Sequence, residues 1–315
     1  MVVLNSGISW CSGTLNAWVG CHKVSAGCNN CYAEALVTRF AKMGGGPGDT
    51  PASRAAITKA KFAAPFDRVV LHLDRLSHIR RMRPHVEADG KRLPYLCFVN
   101  SMSDFWHDDV PEEAIHQALD AFEAAPETIF QILTKRPIRA RKILVARYGK
   151  SGIPANIWIG VSVENNDVAP RLNVMRTIKG RCAGTGTFFV SIEPIIGPTD
   201  QINLEGISWA ITGGESGAGA RIMERKWLVD AMNAARRAEI PLWHKQSGQI
   251  RSHPNWTNAP ATLSPGRRFQ WLIDNGWERL PDEKGGATID KQTFRQLPEH
   301  YHQLTRQLNN RSQLI

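Results

Sequence analysis

The sequence predicts an α/β protein: a partial or complete TIM-type (β/α) barrel over residues 1–248, with a C-terminal extension over 249–315. Three observations carry this reading. Short runs rich in Val, Ile, Phe and Leu recur through the middle of the chain, as parallel strands buried on both faces do. Each run ends abruptly in polar residues and is followed by an amphipathic stretch. The intervals suit βα units of about 30 residues. Such units also build open doubly wound sheets, and both arrangements place function at the C-terminal ends of the strands.

The first strand is predicted at "GISW", 7–10, with a cysteine-bearing loop after it. Tyr32, Leu36, Phe40 and Met43 recur at helical spacing and predict a helix from about Cys31. "MGGGPGDTPAS" (43–53) breaks that helix with Gly and Pro. The basic stretch 54–93 reads as helical or irregular, with a short strand at "VVLHLD", 69–74. The apolar runs then follow: "YLCFVNSMSD" (95–104), "IFQILTKRP" (129–137), "IWIGVSVEN" (157–165), "TFFVSIEP" (187–194), "ISWAITGGESG" (207–217) and "PLWHKQSG" (241–248). Helices are predicted over 111–125, 137–148, 168–178 and 224–237. The last places Trp227, Leu228, Met232 and Ala235 on one face. After Gly248 apolar runs become scarce, although Trp256, Trp271 and Trp277 give the tail something to bury. It reads as an extension packed over the barrel mouth or closing its bottom.

Apolar residues make up 42% of the chain, enough for a substantial core. No apolar run is long enough to span a bilayer, and the N-terminus has neither a basic n-region nor a long apolar h-region. A cytoplasmic protein with no membrane partner is expected. The net charge of +10 favours polyanionic partners, nucleic acid or nucleotide, although no Lys/Arg block concentrates it.

Polar residues gather at the predicted strand ends. Asn100, Ser103 and Asp104 end one run, and Lys135 and Arg136 end the next. Ser162 with Glu164, Ser191 with Glu193, Gly213 to Glu215, and Lys245 follow. Any one of these is explained by a turn or a cap; a succession of them reads as a shared pocket. Glu164 and Glu193 end adjacent strands, so they suit cofactor or substrate contact, or an acid–base pair with Lys135 nearby. The structural alternative is ion pairing with Lys135 and Arg136. Gly213 and Gly214 form an open turn, and Glu215 can accept from an ammonium or a ribose hydroxyl. Asn100, Ser103, Asp104 and Lys245 are candidate substrate contacts, Lys245 as a point charge for phosphate or carboxylate. Asp104, His107, Asp108 and Asp109 have metal-ligand chemistry, but acids before Pro111 equally favour a helix N-terminus.

The most specific feature is "GCHKVSAGCNNCYAE", 20–34, which spaces Cys21, Cys28 and Cys31 as C-x6-C-x2-C. Clustered thiols in a reducing compartment indicate metal or redox chemistry. Zinc in a structural site needs four ligands, for which Cys11 or His22 is available. A [4Fe–4S] cluster on three cysteines leaves one iron open. Asn29 and Asn30 suit a tight loop that calls for left-handed backbone. Cys97, inside an apolar run, reads as a small buried hydrophobe.

Taken with "FVNSMSDFWHDDVP", "QILTKRP", "WIGVSVEN", "SIEPIIGP", "TGGESGAGAR", "HKQSG" and "GATIDKQTFRQLP", this loop resembles the three-cysteine-motif family of phage and prophage proteins of unknown function. The resemblance covers most of 8–298. It implies a radical S-adenosylmethionine-like barrel, in which Cys21, Cys28 and Cys31 hold a [4Fe–4S] cluster. The open iron would bind S-adenosylmethionine and yield a 5′-deoxyadenosyl radical. The usual spacing in those enzymes is C-x3-C-x2-C; here the first interval is longer, and the aromatic residue, Tyr32, follows the last cysteine. Gly213, Gly214 and Glu215 resemble the motif that receives the methionine amino group, but on a later strand. The expected activity is modification of nucleic acid or a nucleotide, with a separately encoded partner protein. The rivals are a zinc-stabilised, non-catalytic nucleic-acid-binding protein using Cys11 with the trio, and a barrel hydrolase whose cysteines are incidental.

Overall fold

The computed structural model describes residues 2–43, 66–248 without 183, 185, 217 and 218, then 259–264, the positions 267, 270, 271 and 274, and 288–312 without 290 and 291. The expected break at 44–53, with Trp256 and Trp277, lies outside the described residues.

One sheet organises the chain. Strand β1 (Val2–Val3) pairs antiparallel with β2 (Gly13–Leu15). From β2 onward the strands are parallel and lie in chain order: β3 (Tyr95–Val99), β4 (Thr128–Thr134), β5 (Ile157–Ser162), β6 (Phe188–Ile192), β7 (Trp209–Gly213) and β8 (Leu242–Gln246). The sheet is curled into a half-barrel of eight strands. Among the described strands β1 and β8 do not pair, so this is a partial barrel and not a closed one.

Helix α1 (Tyr32–Met43) follows the cysteine loop. Helices α2 (Glu112–Glu123), α3 (Pro137–Tyr148), α4 (Arg171–Arg181) and α5 (Arg225–Arg237) connect the successive strands from β3 onward, except that β6 runs to β7 without one. Pro137 starts α3 at a position where the absent N–H is not needed. Pro170 likewise precedes α4, which starts later than the expected 168, because Val168 ends a separate 3-10 turn, Asn166–Val168.

The two faces of the sheet differ, as strand alternation requires. Outward residues such as Cys97, Phe130, Ile159 and Val190 pack beneath the helices, against Leu119, Leu144, Met175 and Leu228. Inward residues form an aromatic layer of Phe98, Trp158, Phe189 and Trp209, with Trp10. Trp209 meets Trp158, Phe189 and Trp243 at ring distances of 6.0, 5.7 and 6.5 Å. Such pairs contribute roughly 0.5–1.5 kcal/mol each beyond their area. Gly160 has a steric reason: a Cβ there would lie 2.3 Å from the Phe189 ring.

The first strand differs from expectation. Residues 7–10 form bends and turns, and the parallel sheet starts at Gly13. The stretch at 69–74 keeps only Val70–Leu71 as strand, paired with Trp18–Val19, before the 3-10 helix Leu73–Arg81. The described part of the extension packs on the bottom and edge of the half-barrel. Around Trp243↔Arg295 it bonds antiparallel to β8, with His244 N–H donating to Phe294 O (2.8 Å) and Gln296 N–H to Leu242 O (3.1 Å). Helix α6 (Glu299–Ser312) joins the inner layer through Tyr301 and Leu304. Asn309 bonds both the N–H and the carbonyl of Arg92, just before β3, which fixes α6 at the N-terminal strand ends. No helix among the described residues is long and apolar enough to cross a membrane.

Candidate functional site

The loop that carries Cys21, Cys28 and Cys31 lies across the C-terminal ends of the strands, and side chains from several strand ends hold it there. It begins beside the β3 end. Gly20 N–H donates to Met102 O (3.1 Å), and Ser103 Oγ donates to Gly20 O (2.5 Å). Gly20 has φ +103°, and a Cβ on it would strike the Arg68 carbonyl at 2.1 Å, so the position requires glycine. At the β5 end, Ser25 Oγ donates to Glu164 Oε1 (2.8 Å). Gly27 sits so closely on Glu164 that a Cβ would lie 2.5 Å from Cγ and Oε1. After β7, Asn30 Nδ2 donates to Glu215 Oε2 (2.8 Å) and Arg221 donates to Ala26 O (3.0 Å). Tyr32 OH donates to Ser101 O and anchors the start of α1.

Glu164 is almost wholly buried and is neutralised on both oxygens. Lys135 Nζ lies 3.4 Å from Oε1 and Arg171 donates to Oε2 at 2.9 Å. Glu193 pairs with Lys245 at 2.5 Å, both partly accessible. The expected neighbours on adjacent strands therefore each have a cation of their own, Lys135 as anticipated and Arg136 not. Arg136 turns away, to Asp108 (2.6 Å) and His22 O (3.2 Å).

Glu215 is buried and takes three bonds from Arg221: backbone N–H and Nε at 2.9 Å and a terminal nitrogen at 2.5 Å. Burial alone would raise its pKa, but the bonds from Arg221 and Asn30 outweigh it and hold the carboxyl below its ordinary value. Gly213 and Gly214 are closely covered: added Cβ atoms would meet Glu193 Cδ at 3.2 Å and the Ser247 carbonyl at 2.8 Å.

The β3 end is a structural joint. Asn100, at φ +56°, accepts from Ala17 N–H through Oδ1 (3.0 Å). Asp104 is buried and accepts from Thr134 Oγ1 (2.7 Å) and from the N–H groups of Lys135 (2.8 Å) and Trp106 (2.9 Å). These bonds tie the β3 end to the segment after β2 and to β4. Ser162 and Ser191 stand opposite each other in register on the inner face, above the aromatic layer. Among the expected site residues, Lys135, Glu193 and Lys245 are partly accessible around the small side chains of Ser162 and Ser191, as are Ser103 and the three loop cysteines.

The thiols share one electrostatic neighbourhood. Cys21 is pushed up to about 12, by burial first, then by Asp104, with Cys28 and Cys31 adding to it and Arg136 opposing. Cys11 is also pushed up to about 12, by burial, but lies with Trp10 and Phe98 in the inner core and donates to Ile8 O. Among the described residues only His22, His107 and Asp109 bring three ligand atoms within 4.8 Å of one another; no set of cysteines does. A single tetrahedral zinc, with Zn–S of about 2.3 Å, would draw its sulfurs to about 3.8 Å. Asn29 takes right-handed backbone, φ −63°, contrary to the left-handed turn expected between Cys28 and Cys31.

Ser25, Arg171 and Arg221 had no assigned role from sequence. Arg221 sits in the same "TGGESGAGAR" run as Glu215, which is the one available signal; Ser25 meets Glu164 from 139 residues away and leaves none.

A family model described as a protein of unknown function (DUF5131) matches residues 5–298. No curated protein and no solved structure matches the chain.

Proposed function

The chain belongs to the DUF5131 family, and for it we propose radical S-adenosylmethionine chemistry, with Cys21, Cys28 and Cys31 as ligands of a [4Fe–4S] cluster and a nucleotide or nucleic acid as substrate. The observation that carries this is the position of the cysteine loop: it spans the C-terminal strand ends, bonded to Glu164 below and Glu215 beside it. Its thiols are neighbours, yet they do not form the compact set that one ion draws together. Held by Cys21, Cys28 and Cys31, such a cluster would, once reduced by an external donor, supply one-electron chemistry for reductive cleavage of S-adenosylmethionine.

The chain's own residues do the positioning. Glu164, charge-balanced by Lys135 and Arg171, holds Ser25, while Glu215 with Arg221 holds Asn30 and Ala26. Glu193, Lys135 and Lys245 are the groups that can exchange partners with an incoming ligand's ammonium, carboxylate or phosphate. The aromatic layer beneath keeps water out of the lower half-barrel. A net charge of +10 supports a polyanionic substrate.

Anaerobic reconstitution tests this. The expected result is about four irons with matching sulfide per chain, and 5′-deoxyadenosine once reductant and S-adenosylmethionine are added. Cys28→Ser should abolish both. A zinc ion with every position filled by side chains, or a loaded cluster that never yields 5′-deoxyadenosine, would overturn the reading.

A further inference from the structure

Where the cysteine loop meets the turn after β3 lies a second set of metal-ligand side chains, one of which directly follows Cys21. His22 comes from the loop; His107 and Asp109 come from the turn between β3 and α2. Their ligand atoms lie within 4.8 Å of one another. His22 Nδ1 and His107 Nδ1 each stand 3.9 Å from Asp109 Oδ2.

The orientation of His22 is set from behind. Its Nε2 lies 2.5 Å from the Asp67 carbonyl, which only accepts, so Nε2 is the donor, and in that tautomer the lone pair is on Nδ1, toward Asp109. A backbone carbonyl on the far ring nitrogen is the usual support of a metal-bound histidine. Lone pair and carboxylate oxygen then face each other at 3.9 Å, beyond direct hydrogen-bond reach, so a proton on Nδ1 does not close the gap.

His107 is wholly buried, and its ring nitrogens face two main-chain donors: His22 N–H at Nε2 (3.3 Å) and Asp109 N–H at Nδ1 (3.1 Å). A neutral imidazole accepts with only one nitrogen, so either tautomer leaves one of these contacts unmade. Ligands on a tetrahedral zinc at about 2.0–2.1 Å stand roughly 3.3 Å apart. Closing from separations of up to 4.8 Å requires half-exposed His22 and Asp109 to move inward, with the ion taking the place of the Asp109 N–H at His107 Nδ1 and the His22 N–H giving up its contact with the then protonated Nε2.

We propose that His22, His107 and Asp109 bind one divalent cation of the zinc class, with the fourth position open to water or a substrate oxygen. Two imidazoles and a carboxylate select this class over magnesium or calcium, which favour all-oxygen sites.

Cobalt(II) titrated into the full-length protein provides the test. Thiolate-bound cobalt gives intense charge-transfer absorption, whereas nitrogen and oxygen ligands give only weak visible bands, so the two sites are read separately. The expected result is a weak-band site saturating at one equivalent. It should persist when Cys21, Cys28 and Cys31 are all serine, and weaken at least tenfold in His22→Gln and in Asp109→Asn. Both substitutions fall on half-exposed side chains, and thermal melting checks each fold. No saturable weak-band site in the unsubstituted protein, or a site indifferent to both substitutions, would refute the proposal.

Discussion

Glu164 links the strand it ends to the loop above it. Its oxygens meet Lys135, Arg171 and Ser25, and Gly27 rests against its methylene. Replacing a buried, paired carboxylate leaves its cations uncompensated. Glu164→Gln should therefore cost about 3 kcal/mol in urea unfolding, toward the lower end because Lys135 and Arg171 both retain some solvent. An unchanged midpoint would show that the pairs contribute nothing net. The sequence marked Glu164 as a strand-end carboxylate because an apolar run stops just before it. Its role depends on Ser25 and Gly27, and no local pattern announces a partner 139 residues away. Asp104 is a similar case: its residue type suggested substrate contact, but its oxygens are engaged by Thr134, Lys135 and Trp106.

At the scale of elements, packing inside the half-barrel depends on alternating sizes between neighbouring strands. Gly160 on β5 is paired with Phe189 on β6, whose ring fills the space a side chain would occupy. Gly160→Ala should cost roughly 1–3 kcal/mol by overpacking, measured as a lowered melting temperature, and Phe189→Leu in the same chain should recover part of it. If alanine there is neutral, the close approach does not constrain the core. The six strands from Tyr95 onward were legible because each is a compact apolar run with a polar stop. The first parallel strand was not. Gly13–Leu15 is three residues long, too short for periodicity to register, and the more apolar "GISW" nearby forms turns instead. The location of the extension was equally undetermined, because packing on the bottom of the barrel and packing on its mouth both require the same aromatic residues.

For the molecule as a whole, partly buried histidines shape the response to acid. Burial, then Arg75, lowers His72 to about 4, from an ordinary value of 6.5. Burial also lowers His300, whose ring meets Thr187 at 2.9 Å. Below pH 6.5 the unfolded chain takes up protons that the folded chain refuses, so stability falls as the pH drops. For His72 the loss levels off near pH 4, where the folded protein also protonates. Melting temperature should therefore decline from neutral pH toward pH 4, and His72→Gln should flatten part of that slope; an identical slope in the variant would remove His72 as the cause. A separate consequence concerns biosynthesis. The latch on the N-terminal thiols is supplied by Glu215 and Arg221, up to 195 residues downstream. A ribosome must release most of the polypeptide before those groups can reach back, since chains emerge N-terminus first. The bonds that hold the cysteine loop against Glu215 and Arg221 therefore form only after translation has passed the seventh strand, and a nascent chain stalled earlier would carry that loop without its latch.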